Sequence, residues 1–307
     1  MSHPTTKKPK RVIALGFFDG VHRGHKCLLN QVRSIADERG LEAMAITFAV
    51  SPKQVLGKDC GSHTLLTDAK ERTALLYESG MDEVVVLEFT HAMATMTARE
   101  FMQQVLCEQL GVKVLVIGYD HRFGRGRTDG FDDYVRYGHE LGIEVVRGEA
   151  CIIECEAVSS TRIRQCITAG RIEESALLLG YHYRLCGTVV GGYEVGRKIG
   201  FPTANISTDP SKMLPADGVY GVCVNIGGCN QSKHIGMLNI GHRPTVNNGK
   251  ERSIEVHILD FEGDLYGQSL CVELVKRLRD EQTFDNLEAL MAQLEVDKEN
   301  VKKIIFL

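Results

Sequence analysis

Several features are missing from this sequence, and each absence narrows the reading. There is no basic excess: Lys and Arg total 36 against 40 Asp and Glu, a net charge of −4. A broad nucleic-acid-binding surface is therefore not expected. No apolar run approaches the length of a membrane span. The segment MSHPTTKKPKR has no apolar stretch of the kind a secretory signal needs, and its KKPKR run at 7–11 reads as a solvated tail rather than a targeting patch. Ten cysteines are present, but none has CxxC spacing, and Cys151 and Cys155 have no matching His or Cys cluster, so a zinc site is not expected. Scattered cysteines without a signal are expected to be reduced thiols in a cytoplasm. Neither an internal repeat nor a low-complexity linker interrupts the chain.

What is present is a soluble globular composition, 43% hydrophobic and 25% charged over 307 residues, enough for one large or two ordinary domains. The rhythm changes near the middle. Residues 12–180 alternate apolar strands with helical patterns: VIALGFF (12–18), EAMAITF (42–48), EVVVLEF (83–89), VKVLVIG (112–118) and IEVVRG (143–148). Thr97 with Glu100 is a capping-box signature, and Gly111 a plausible helix stop. Near-continuous apolar strands separated by helices imply a parallel, doubly wound α/β sheet, with its site beyond the strand C-termini. After about residue 182, short strands and glycine turns predict an antiparallel sheet or small β-barrel. A helix over about 283–304 closes the chain, its Leu287, Leu290, Met291 and Leu294 stripe reading as core. The boundary is expected between Gly180 and Arg184, giving domains of 1–182 and 183–307.

The first chemical motif is GFFDGVHRGH, residues 16–25. Strand, glycine-bearing turn and helix follow one another, and His22 and His25 share a face at the helix entrance. Gly16, Gly20 and Gly24 permit tight turns and close backbone approach. Backbone N–H groups and the positive end of the helix dipole point into the same space, which suits nucleotide phosphates. Two histidines there are also ordinary as caps or surface residues. SSTRIRQCI, residues 159–167, offers hydroxyls on Ser159, Ser160 and Thr161 and charge on Arg162 and Arg164. Alone it reads equally as a capped helix with solvated arginines.

The second half contains GRKIGFPTANI, residues 196–206. Thr203 and Asn205 supply hard oxygen atoms that suit Mg²⁺ carrying nucleotide phosphates. GGYEVGRK resembles a P-loop but lacks its Ser or Thr and opens no helix; a glycine-rich hairpin is the alternative. Glu255 and His257 fall on one face of a strand whose other face carries Ile254, Val256 and Ile258.

GFFDGVHRGH, GYDHRFG and SSTRIR, in this order, resemble the adenylyltransferase module of bacterial FAD synthetases. GFPTANI, GVYGV (218–222), NIGHRPT (239–245), EVHILDFEGDLYG (255–267) and RLRDEQTFDNLEALMAQLEVD closely resemble riboflavin kinase. In tandem the two resemblances imply a bifunctional riboflavin kinase and FMN adenylyltransferase, a Rossmann-like domain followed by a six-stranded antiparallel barrel with a C-terminal helix. They imply Mg²⁺ and ATP as well, with riboflavin, FMN and FAD as substrates and products, and no nucleic acid, membrane or obligatory protein partner. By resemblance, His22, His25 and Arg164 act on the phosphates in adenylyl transfer, and Gly16, Phe17, Asp19, Gly20, Gly24, Ser159, Ser160, Thr161 and Arg162 bind that nucleotide. Pro52, Asp120 and Phe123 lie on its flavin side. In the kinase half, Glu255 is the base, Thr203 and Asn205 hold the metal, Gly192, Arg197 and Gly200 bind nucleotide, and Arg279 binds flavin.

Two departures stand out. TFAVSPKQVL puts Val50 and Ser51 where the family usually has Pro and His, and His121 replaces a usual Phe. Both fall on the flavin side, so weaker FMN binding in the first half is expected. The rival readings are an active kinase with a weakened adenylyltransferase, a class I aminoacyl-tRNA synthetase, whose HIGH element HRGH echoes, and a non-enzymatic flavin sensor. The synthetase would need a tRNA surface that this acidic chain does not offer, and the sensor would not need Glu255, Thr203, Asn205 and both histidines together.

Overall fold

A computed structural model describes residues 9–57, 64–119, 121–149, 152–153, 156–192, 196, 199–228, 233–242 and 252–305. The chain divides into two compact units, residues 1–160 and 161–307.

In the first unit the apolar segments form β1 (Arg11–Leu15), β2 (Glu42–Phe48), β3 (Glu83–Leu87), β4 (Val112–Ile117) and β5 (Glu144–Arg147). Nearly every residue of β1, β2 and β4 is buried, as strands covered on both faces require. All pairings are parallel, in the order β3-β2-β1-β4-β5. The order reverses between β1 and β4, so the loops after these two strands open a crevice at the switch point. β1 stops at Leu15 rather than at Phe18, because Phe18 takes a left-handed φ of 55°.

The connecting helices are α1 (Arg23–Arg39), α2 (Pro52–Val55), α3 (Ala69–Glu78), α4 (His91–Thr95), α5 (Ala98–Phe101) and α6 (Phe131–Leu141). The Thr97 capping box is formed, with Thr97 Oγ1 accepting from Glu100 N at 3.2 Å and Glu100 Oε2 accepting from Thr97 N at 2.8 Å. Beyond α5, residues Met102–Gln109 widen into a π-helix, where Leu110 N donates to Val105 O at 3.1 Å. Two short strands, β6 (Ile152–Ile153) and β7 (Glu156–Ala157), pair antiparallel.

The second unit holds α7 (Ser160–Thr168, all but its first residue), α8 (Ile172–Leu179) and six strands. These are β8 (Arg184–Val190), β9 (Ala204–Thr208), β10 (Gly218–Ile226), β11 (Lys233–His242), β12 (Arg252–Ile258) and β13 (Ser269–Arg279). They close into a barrel in the order β10-β11-β12-β9-β8-β13. Five of the six are legible as strand patterns. β9 is not, because its ANIST follows a Pro-Thr turn and pairs with β12 over two residues only. In β12, Ile254, Val256 and Ile258 are buried, with Glu255 and His257 less so, as the alternation predicts. Cys186 of β8 and Cys271 of β13 are register partners with sulfurs 2.8 Å apart, a pairing that sequence spacing hides.

The closing helix, α9 (Leu287–Ile305), starts later than expected. Asn286 Oδ1 accepts from Ala289 N at 2.8 Å and caps it there. The expected core stripe holds in part: Leu294 packs against the core and Leu290 is half-buried, but Leu287 and Met291 are exposed, whereas Asp297 and Val301 are buried. Buried Asp297 receives Arg279 through both Nε and Nη2 at 2.9 Å, which sets the helix's rotation.

Candidate active sites

In the first unit the loop after β1 carries three left-handed positions in four residues: Phe18 (φ 55°), Gly20 (φ 83°) and Val21 (φ 34°). Such backbone persists in non-glycine residues only where its surroundings over-determine it. Here they do. Asp19, 3% exposed, turns its carboxylate inward to accept from Leu66 N (3.2 Å), Thr67 N (3.0 Å) and Thr67 Oγ1 (3.3 Å). Gly20 N donates to Thr67 Oγ1 at 3.0 Å, and Ser160 Oγ donates to the Asp19 carbonyl at 2.9 Å. Asp19 thus shapes the loop, and Ser160 fastens to its backbone.

His22 is the N-cap of α1, its Nδ1 accepting from His25 N at 3.3 Å. That bond requires a deprotonated Nδ1. The two imidazoles stack with centroids 3.6 Å apart at 15°, and Phe18 meets His25 edge-on at 5.2 Å. Burial, then the neighbouring His22 and His121, hold His25 well below the ordinary histidine range. It is therefore neutral at pH 7 and, in the free protein, presents polar nitrogens rather than a cation. His25 Nδ1 is buried with no hydrogen-bond partner among the described residues. At Gly24 a Cβ would lie 3.1 Å from the His22 ring and 3.3 Å from the Val158 carbonyl, so any larger residue would press these segments apart by a few tenths of an ångström.

Behind this loop lies a residue that sequence reasoning missed. Arg72 is fully buried, donates to Phe48 O (2.7 Å) and Thr67 O (3.3 Å), and lies 4.4 Å over the Phe17 ring. Burial lowers its pKa, with Asp19 and Asp68 opposing. The signal was available: Arg72 shares the buried stripe of α3 with Leu75 and Leu76, an unusual place for a charge.

On the β4 side, an apolar pocket of about 350 Å³, open mouth included, is lined by Phe48, Phe89, Met93, Met96, Phe101 and Phe123, among others. Phe123 stacks on Tyr134 at 4.4 Å, and Tyr134 Oη accepts from Phe123 N at 3.0 Å. Tyr134, also missed by sequence reasoning, anchors this loop. Phe123 lines this pocket. Pro52, the first residue of α2, is not among the lining residues. Asp120 and Arg197 lie outside the described residues. Ser159 is exposed, while Thr161, Arg162 and Arg164 belong to the second unit, where Arg162 Nη2 lies 3.4 Å from Glu174.

In the barrel, β9 and β12 place Asn205 directly opposite Glu255. Thr203 Oγ1 donates to Glu255 Oε2 at 3.5 Å, from 52 residues away. Asn205 is 7% exposed, and a Cβ at Gly192 would lie 2.0 Å from its Nδ2. Glycine at 192 is what admits the Asn205 amide. Gly200 takes a φ of 81° in the turn before Phe201. Thr203, Asn205, Glu255 and Gly192 therefore converge. The guanidinium of Arg279, the expected flavin-side residue, is held by Asp297, and its Nη1 donates to Asp280 O at 3.1 Å.

Comparison with known proteins agrees with both halves. Residues 5–162 match the family model of FAD synthetase and residues 179–305 that of riboflavin kinase. The chain is similar to proteins named bifunctional riboflavin kinase/FMN adenylyltransferase. The one from Listeria monocytogenes is 34% identical, over 98% of this chain and 96% of the relative. That from Escherichia coli strain K12 is 36% identical over 96% and 94%. A crystal structure described as a macrolide-efflux protein from Streptococcus pneumoniae superposes with a TM-score of 0.86 at 33% identity, covering 96% of this chain and 95% of that one. Family models along both halves, with full-length relatives above 30% identity, make the chain a member of the bifunctional riboflavin kinase/FMN adenylyltransferase family.

Proposed function

We propose that the barrel half phosphorylates riboflavin to FMN with ATP, and that the parallel-sheet half adenylylates FMN to FAD with release of pyrophosphate. The observation that carries this reading is the convergence of Thr203, Asn205 and Glu255, from segments 52 residues apart, on one face of the barrel. Glu255 is suited to accept the proton of the ribityl 5′-hydroxyl as that oxygen attacks the γ-phosphorus of ATP. No three His, Cys, Asp or Glu side chains among the described residues are arranged to hold a metal. The hydroxyl and amide oxygens of Thr203 and Asn205 fit Mg²⁺, a hard cation commonly held by few protein atoms together with substrate phosphates. When bound there, Mg²⁺ would offset the negative charge of those phosphates. The chain's own task is to orient the two substrates and keep the proton acceptor in place.

In the other half, His22, His25, the α1 N-terminus and Ser160 are suited to binding triphosphate while the FMN phosphate attacks the α-phosphorus. The apolar pocket at Phe123 is a fitting receptor for an isoalloxazine ring. Asp19 contributes by holding the loop. We place the functional division at 182/183, where the sequence changes from alternating strand and helix to short strands and glycine turns. Efflux, in the name of the streptococcal relative, has no residue-level counterpart here, whereas both phosphate-transfer motifs do. No helix among the described residues is long and apolar enough to cross a membrane; with the sequence, this supports a cytoplasmic enzyme. The deciding experiment incubates folded protein with riboflavin, ATP and Mg²⁺ and resolves the products by chromatography. FMN and FAD are both expected; recovery of riboflavin alone would overturn the proposal.

A further inference from the structure

β12 and β9 pair over two rungs only, Glu255 with Asn205 and Val256 with Ala204. Continued, the ladder would bring His257 to Thr203 and Ile258 to Pro202. Pro202 has no N–H to give, and the ladder stops short of it. A side chain takes over: His257 Nδ1 lies 2.7 Å from the Pro202 carbonyl oxygen. A carbonyl can only accept, so Nδ1 carries the proton. Burial lowers the imidazole's pKa, with the Pro202 bond opposing, and Lys298, Asp260 and Glu295 also face the ring. It is a neutral donor at pH 7.

The location gives this bond consequence. Glu255 and His257, two residues apart on one strand face, grip consecutive residues of the turn: Glu255 takes Thr203 and His257 takes Pro202. The Phe201 ring packs against the imidazole at 5.2 Å and belongs to an apolar cluster with Met237, Leu259 and Val301. Resting on the kinase reading of this site, we propose that His257 is a positioning residue. It fixes the Phe201–Thr203 turn through the Pro202 carbonyl, and so holds Thr203 and Asn205 ready for Mg·ATP without touching substrate itself.

The test separates the hydrogen bond from the packing, in the full chain. His257→Asn keeps an N–H at about the height of Nδ1 and loses the ring. His257→Phe keeps a ring against Phe201 and loses the donor. In riboflavin phosphorylation, His257→Phe is expected to raise the KM for Mg·ATP roughly tenfold, the worth of one ordering hydrogen bond. Its kcat should change by less than about threefold, because the proton acceptor Glu255 remains. His257→Asn should stay within about threefold of wild type in both constants. FAD formation from supplied FMN should be unchanged in each. A His257→Phe protein with wild-type KM for Mg·ATP, or a His257→Asn protein as impaired as the Phe variant, overturns the inference. Should His257→Phe not fold, His257→Leu takes its place under the same criteria. Wild type run in parallel separates the two levels: no FMN from wild type sinks the kinase reading, whereas active wild type with the wrong variant pattern sinks only the role of His257.

Discussion

In the parallel-sheet unit the candidate phosphate site hangs on a loop with left-handed backbone at Phe18, Gly20 and Val21. In the barrel, Asn205 and Glu255 face one another across a two-rung antiparallel pairing. The loop needs anchors from elsewhere: Thr67 before α3 and Ser160 at the start of α7 both bind Asp19 or Gly20. The barrel site draws on the paired strands β9 and β12, a glycine at 192 and the turn that carries Thr203. Among the described residues, the two candidate sites have no side chain in common. If the comparison holds, the two activities should fail independently, and variants can be ranked by how directly they touch the chemistry.

The largest effect is expected from Glu255→Gln, which keeps the shape and removes the proton acceptor. FMN formation should fall roughly 10²- to 10⁴-fold, the usual contribution of a positioned general base, while FAD formation from supplied FMN persists. A wild-type kinase rate would remove Glu255 from the mechanism. His25→Ala is the mirror experiment. It deletes a neutral, half-buried imidazole poised at the α1 N-terminus, and FAD formation should fall by about 10²-fold or more, as when one donor to a developing charge is lost. FMN formation should be spared. Equal loss of both activities in a folded protein would break the claim of independence.

Gly192→Ala sharpens the barrel half of the comparison. A Cβ there would lie 2.0 Å from Asn205 Nδ2, so the amide must move. Displacing one proposed metal ligand should raise the magnesium concentration for half-maximal kinase rate roughly tenfold, about 1.4 kcal/mol. FAD formation from FMN again serves as the internal control. Unchanged magnesium dependence would mean that the Asn205 amide oxygen is not a ligand.

How much of this was legible in the chain follows the same division. Contiguous motifs carried the loop site: His22, Gly24 and His25 are neighbours in sequence and in space. The parallel sheet was legible because its strands are buried on both faces and so read as unbroken apolar runs. The anchors were not, because Asp19 meets Thr67 from 48 residues away and no local pattern joins them. The sixth strand, β9, was hidden by its proline-led start and two-rung pairing. Arg279 shows another limit of local pattern: resemblance puts it on the flavin side, and its guanidinium binds Asp297, a partner visible only once α9 is docked.

The smallest effect concerns the segment after β2, where Val50 and Ser51 depart from the family pattern. Phe48, the last residue of that strand, lines the apolar pocket, whereas Val50 and Ser51 are not among the lining residues, and Val50 is 42% exposed. The Ser51 carbonyl accepts from Gln54 N at 3.0 Å and leads into α2. These residues therefore bear on the pocket through its rim and not through its wall. Replacing them with Pro and His together should add at most one hydrogen bond to bound FMN, about 0.5–1.5 kcal/mol or up to roughly tenfold in affinity. The KM for FMN should fall by that factor while the KM for ATP stays put, because the triphosphate loop is anchored separately through Asp19 and Thr67. In a time course from riboflavin, the wild type should accumulate FMN before FAD, and the double variant should shorten that lag. If FMN binds no better, the contact is supplied from the β4 side, where His121 lies 6.3 Å from the Phe123 ring, and His121→Phe becomes the substitution that moves the KM.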